Sequence, residues 1–128
     1  MIVEFVVEFG GEPQDVTVTA SGVADVATLR ELVRAVAADE RYRAGLLLLY
    51  ELSSLDMSHV SDRELEQVTA TVMERDWISQ PRAVAIVVAG KTVEVARIAI
   101  AHLGGSSSGR RLFTSRDDAV AWLATMRA

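Results

Sequence analysis

The sequence predicts one α/β domain over residues 1–128, built on a single-layer mixed, mainly parallel sheet with one antiparallel edge strand and four helices. Three observations carry this reading. The N-terminal segment alternates apolar and polar residues, two continuous apolar runs have strand length, and the stretches between and after them repeat apolar residues at steps of three and four. At 128 residues, 50% hydrophobic and 24% charged, the chain can bury one core and has little room for a second. The same composition excludes a disordered chain.

Val3, Phe5, Val7 and Phe9 alternate with Glu4 and Glu8, which predicts an edge strand with one face in water. Residues 10–14, Gly-Gly-Glu-Pro-Gln, supply a turn, and Val16, Val18 and Ala20 alternate with Thr17 and Thr19 to complete an antiparallel hairpin. From Asp25, a predicted N-cap, Val26, Leu29, Leu32, Val33 and Val36 repeat with helical period. The run from Leu46 to Tyr50 is apolar throughout, as expected of a central parallel strand covered on both faces. Ser61 and Glu64 have the spacing of a capping box, opening a helix whose apolar face is read as Leu65, Val68, Val72 and Met73 and which stops near Asp76. Residues 83–88 form a second buried strand, Thr92 to Leu103 a third helix, Arg111 to Phe113 a short last strand, and Ser115 caps a final helix with Asp117 and Asp118 in its first turn. The order is β-β-α-β-α-β-α-β-α, and its strand-helix-strand crossovers imply parallel pairing.

A net charge of −5 is the wrong sign for a surface that tracks phosphate backbones, so no nucleic-acid partner is expected. The absence of cysteine removes disulfides, thiol nucleophiles and thiolate metal sites. The opening segment, with Glu4 and Glu8 inside it, does not read as a secretory leader, and no apolar run approaches the roughly 20 residues that span a bilayer. A cytoplasmic location is the expectation.

Chemistry-bearing residues are few. His59 and His102 have no ligand partners at metal-binding spacing, so neither a metal nor a cofactor is expected. The glycine and serine loop from Gly104 to Gly109 closes a helix and enters a strand, the reverse of a phosphate loop, and reads as a connector. Arg110, Arg111 and Arg116 could bind an anion, with Asp117 and Asp118 partly neutralising them. Trp122 fits a core position, whereas Trp77, in a polar connector, marks a candidate contact surface. The region from Glu51 to Ser61 reads as a loop leading from the carboxyl end of a buried strand to a helix N-terminus, where ligand and modification sites gather in open α/β sheets. Ser53, Ser54, Ser58 and Ser61 fall there, with Asp56 among them; a phosphate on one of these serines would meet orphan helix N–H groups, and the same serines also serve as ordinary turn and cap residues.

The element order, Ser21-Gly22-Val23, residues 39–45, Tyr50-Glu51-Leu52-Ser53, Ala96-Arg97 and the closing Leu112-Phe113 to residues 119–123 together resemble the SpoIIAA-like proteins over nearly the whole chain. These are small bacterial relatives of the STAS domain, the fold of anti-sigma-factor antagonists, and are often grouped with SEC14-type lipid-binding domains. The resemblance implies a phosphorylated serine at the start of the second helix, within an Asp-Ser-Ser-Gly-Leu-Gly pattern. The matching region here, Leu55 to Asp62, has no glycine, and Asp56 with Ser58 or Ser61 stands in for the pattern. The same resemblance implies a non-catalytic regulatory or interaction module, acting through a protein partner and with a second copy of the chain as a candidate partner; Ser54, Asp56, Ser58 and Ser61 form its candidate phospho-acceptor or docking segment. The alternative implied by the SEC14 association is a carrier of a small apolar or lipid-like ligand, which requires an apolar pocket of roughly 300 Å³ or more. An enzyme ranks last, for want of a nucleophile-base pair or a phosphate loop.

Overall fold

A computed structural model of the chain describes residues 3–78, 80–105 and 109–127, and of Trp77 and Ile78 the backbone path alone. The elements follow the predicted order: β1 (Glu4–Phe9), β2 (Val16–Val23), α1 (Val26–Ala38), β3 (Leu47–Asp56), α2 (Asp62–Ile78), β4 (Ala83–Val87), α3 (Thr92–His102), β5 (Arg110–Phe113) and α4 (Arg116–Arg127). Strand order in the sheet is β1-β2-β3-β4-β5, the order of the chain itself. β1 pairs antiparallel with β2, and every other pairing is parallel. The hairpin turn rests on Gly10 and Gly11, whose φ values of 92° and 127° suit glycine, and the Gly10 amide donates to the Asp15 carbonyl at 2.8 Å.

The largest difference from the sequence reading lies in β3, which continues to Asp56 instead of giving way to a loop after Tyr50. Thr19 pairs with Glu51, but Ser21 pairs with Ser54, so β3 carries one extra residue at this point. This bulge breaks the alternation: Leu52 and Leu55 are buried while Ser53 and Ser54, consecutive in the chain, are both exposed. β2 is extended with it, to Val23 rather than Ala20.

The two faces of the sheet are covered unequally. On one, α1, α2 and α3 bury Leu29, Leu32, Leu65, Val68 and Ala96 against Val16, Val18, Leu48, Tyr50 and Val84. On the other, α4 alone places Ala119 and Leu123 on Leu47, Leu49, Ala83, Ala85 and Val87, with the Trp122 ring tilted against Phe113 at 5.7 Å between centroids. That single helix reaches the β3 to β5 side, so Glu4, Val6, Glu8 and Thr19 stay exposed on the same face.

Local signals set the helix starts. Asp25 accepts the Thr28 amide at 2.8 Å while the Thr28 hydroxyl accepts the Asp25 amide at 3.2 Å. Ser61 and Glu64 make the same reciprocal pair, at 3.2 and 3.1 Å, and the Ser115 hydroxyl accepts the Asp118 amide at 3.3 Å. Met73, expected on the apolar face of α2, is 57% exposed. The inward line runs through Leu65, Val68, Val72 and then Arg75, which takes the position that the helical step assigns after Val72.

Candidate functional site

The carboxyl end of β3 brings three of the four predicted segment residues into one structure. Asp56 is the last residue of the strand, and its carboxylate closes a turn by accepting the Ser58 amide at 2.8 Å and the Ser58 hydroxyl at 2.6 Å. The second carboxylate oxygen lies 3.7 Å from Nε2 of His59. Bonds from the Ser58 hydroxyl and amide, with smaller contributions from the charges of His59 and Lys91, hold the Asp56 carboxyl below its usual range. Ser61 follows as the cap of α2, engaged with Glu64. Ser54 stands apart from this turn, exposed on β3 opposite Ser21.

Beneath the turn, Thr92 at the start of α3 fixes the chain. Its hydroxyl accepts the Met57 amide at 3.0 Å and donates to the Leu55 carbonyl at 3.0 Å. Ser53 to Asp56 on one side and Ala89 to Thr92 on the other enclose an open hollow of about 340 Å³ at the carboxyl ends of β3 and β4. The segment singled out in the sequence thus borders this hollow, with Lys91 on its opposite side. The Thr92 tie across 35 to 37 residues had no local signal to announce it.

A second polar cluster escaped the sequence reading. Arg75, with a side chain only 4% exposed, donates from Nη1 to the Tyr50 hydroxyl at 2.8 Å and from Nε and Nη2 to Asp76 at 3.3 and 3.2 Å. Arg110, 6% exposed, is ion-paired with the other oxygen of Asp76. Arg110 thus has a carboxylate partner that the sequence reading did not name, Asp76 at the end of α2. Burial, and then the like charge of Arg75, push the Arg110 guanidinium below its ordinary pKa. The available clue was an arginine in helical phase with Leu65, Val68 and Val72.

This cluster borders a cavity of about 100 Å³ between the sheet and α1, α2 and α3. Its walls are almost wholly apolar, with Arg75, Arg110, Tyr50 and Thr69 as the polar exceptions. The volume is a third of what the carrier reading required, so a lipid-sized occupant does not fit. Among the described residues no group of three histidine or acidic side chains could hold a metal ion, and no helix is long and apolar enough to cross a membrane. The side chain of Trp77 and residues 106–108 of the glycine and serine loop lie outside the described residues.

No family model matches the chain, and no curated protein does. Solved structures do. An uncharacterised protein of the DUF3478 family from Shewanella loihica PV-4, described as having a SpoIIAA-like fold, superposes with a TM-score of 0.59 at 18% identity, over 94% of this chain and 93% of that one. An anti-sigma factor antagonist from Mycobacterium paratuberculosis superposes with a TM-score of 0.60 at 21% identity, over 95% and 94%. Such likeness at low identity fixes architecture: the chain has the SpoIIAA-like fold that its residues led one to expect.

Proposed function

We propose that this chain is a non-catalytic regulatory module of the STAS type, working in the cytoplasm by docking on a protein partner through the end of β3 and the turn into α2, with Ser58 as the residue whose modification governs docking. The Asp56 and Ser58 turn carries the reading. Its hydroxyl donates to a carboxylate at 2.6 Å, so a phosphate on that oxygen would lose the donated bond and set a second negative group against Asp56. The turn would then open towards Lys91, whose cationic side chain lies near enough to affect Asp56. Ser61 is the weaker acceptor, since its hydroxyl already caps α2. The overall likeness to an anti-sigma factor antagonist supports a partner that is a protein.

Quantitative affinity capture from the chain's own host tests this. The chain, Ser58→Glu, Ser58→Ala and a remote surface change, Glu94→Ala, serve as parallel baits. One protein should fall at least tenfold in recovery with Ser58→Glu and stay unchanged with Glu94→Ala. Equal recovery of every protein across the four baits would sink the proposal. Intact-mass measurement of the chain from that host should show a phosphate adduct lost on Ser58→Ala.

A further inference from the structure

The two edges of the sheet are finished differently. β5 is four residues long and carries Arg111, whose guanidinium rests 5.5 Å from the centre of the Phe113 ring; a short edge with a cation on it resists further pairing. β1 runs for six residues, holds no proline or lysine, and pairs with β2 in unbroken register. On its outer side no strand pairs with it among the described residues. Phe5, Val7 and Phe9 pack against the core on the helix-rich face and remain half-buried, while Glu4, Val6 and Glu8 stand exposed on the opposite face, Val6 at 58%. A strand laid along β1 would complete the cover of one face and meet two carboxylates flanking a valine on the other. A second copy of the chain does not suit that pattern. Antiparallel pairing of two β1 strands, whether centred on Phe5, Val6 or Val7, sets a glutamate of one copy directly opposite or diagonal to a glutamate of the other, between chains of net charge −5.

We propose that the outer edge of β1 takes an extended segment of another protein as an added strand, one in which two cationic residues flank an apolar residue on the face that meets Glu4, Val6 and Glu8. Main-chain bonds along the edge supply the attachment, and the two glutamates select the sequence. This surface goes beyond the turn at Ser58 and does not depend on it.

Amide NMR of the isotopically labelled chain in low-salt buffer, where surface charges are least screened, tests this with synthetic peptides. Ser-Lys-Ile-Val-Val-Lys-Ser should shift the amides of Glu4 to Phe9 saturably and bind roughly tenfold tighter than the same peptide with Glu for both Lys. A docked strand turns only every second N–H towards its neighbour. Two further Lys peptides are therefore N-methylated, one on Ile and the second Val, the other on the first Val and the second Lys; one of them should weaken roughly tenfold and the other should bind as before. Glu4→Lys combined with Glu8→Lys, both exposed, should reverse the preference between the Lys and Glu peptides with a dispersed spectrum retained. No saturable shift in β1, equal binding of the Lys and Glu peptides, or an equal response to the two methylated peptides would each overturn the proposal. Concentration-dependent shifts confined to β1 without any peptide would overturn it too, by making a second copy the occupant.

Discussion

At the scale of single residues, Thr92 and Tyr50 show how much a buried hydroxyl can tie together. Thr92 is 2% exposed and bridges the Leu55 carbonyl and the Met57 amide, joining α3 to the end of β3. Thr92→Val keeps the shape and orphans both backbone groups, which should cost about 1 to 3 kcal/mol in urea denaturation and speed hydrogen exchange at Met57. Thr92→Ser should recover most of that loss. Other residues were legible locally: Ser61 and Glu64 bond across three positions as their spacing predicts, and Asp25 caps α1 as expected, its partner Thr28 unannounced. Arg75 was missed: its partner Tyr50 lies 25 residues away, and its helical phase with Leu65, Val68 and Val72 was the one local clue. The candidate segment divides the same way in geometry: Asp56, Ser58 and Ser61 follow one another from the strand end into the α2 cap, whereas a bulge sets Ser54 on the strand's exposed face.

At the scale of elements, the strength of a pattern decided what could be read. The alternating segments, the continuous apolar runs and the helical periods named the elements in order, since burial on one face, on two faces and on one stripe leave different traces. β3 was cut short at Tyr50 because its bulge replaces alternation with two adjacent exposed serines, a signature that mimics a loop. α2 departs from simple amphipathicity for a similar reason: Thr69, Thr71 and Arg75 are buried in it, with the Arg30 guanidinium donating to Thr71 at 3.0 Å from α1. α4 is simpler, and its hold on the sheet rests on few contacts. Leu123 is fully buried among Leu47, Leu49 and Ala85, so Leu123→Ala should cost roughly 2 to 5 kcal/mol. Chemical denaturation followed by Trp122 fluorescence would measure it, as Trp122 sits beside Phe113 on that helix.

For the molecule as a whole, Asp15 links three distant parts: it accepts the Leu47 amide at 2.8 Å and the Arg127 guanidinium at 2.7 Å, while Arg127 also reaches the Pro13 carbonyl. Burial pushes the Asp15 carboxyl up, but the Arg127 bond, the Leu47 amide and the charges of Arg127 and Arg43 together hold it below its ordinary value. Asp39, bonded to Arg41, lies at about 2. A carboxyl with a depressed folded-state pKa adds stability above its unfolded value of roughly 4 and loses it as pH falls through the folded value. Urea midpoints should therefore decline from pH about 4 downward, and Arg127→Ala should make that decline shallower by removing part of what holds Asp15 low, the Leu47 amide and Arg43 keeping the rest. The strand order has a consequence of another kind. Because neighbours in the sheet are also neighbours in the chain, a ribosome extruding this protein can add each strand to one already in place, with no gap left for a later strand to fill. α4 is the exception to that gradual assembly: until it emerges, Leu47, Leu49, Ala85 and Val87 form a bare apolar strip across the sheet, and the nascent chain is most open to chaperones or to self-association in that interval.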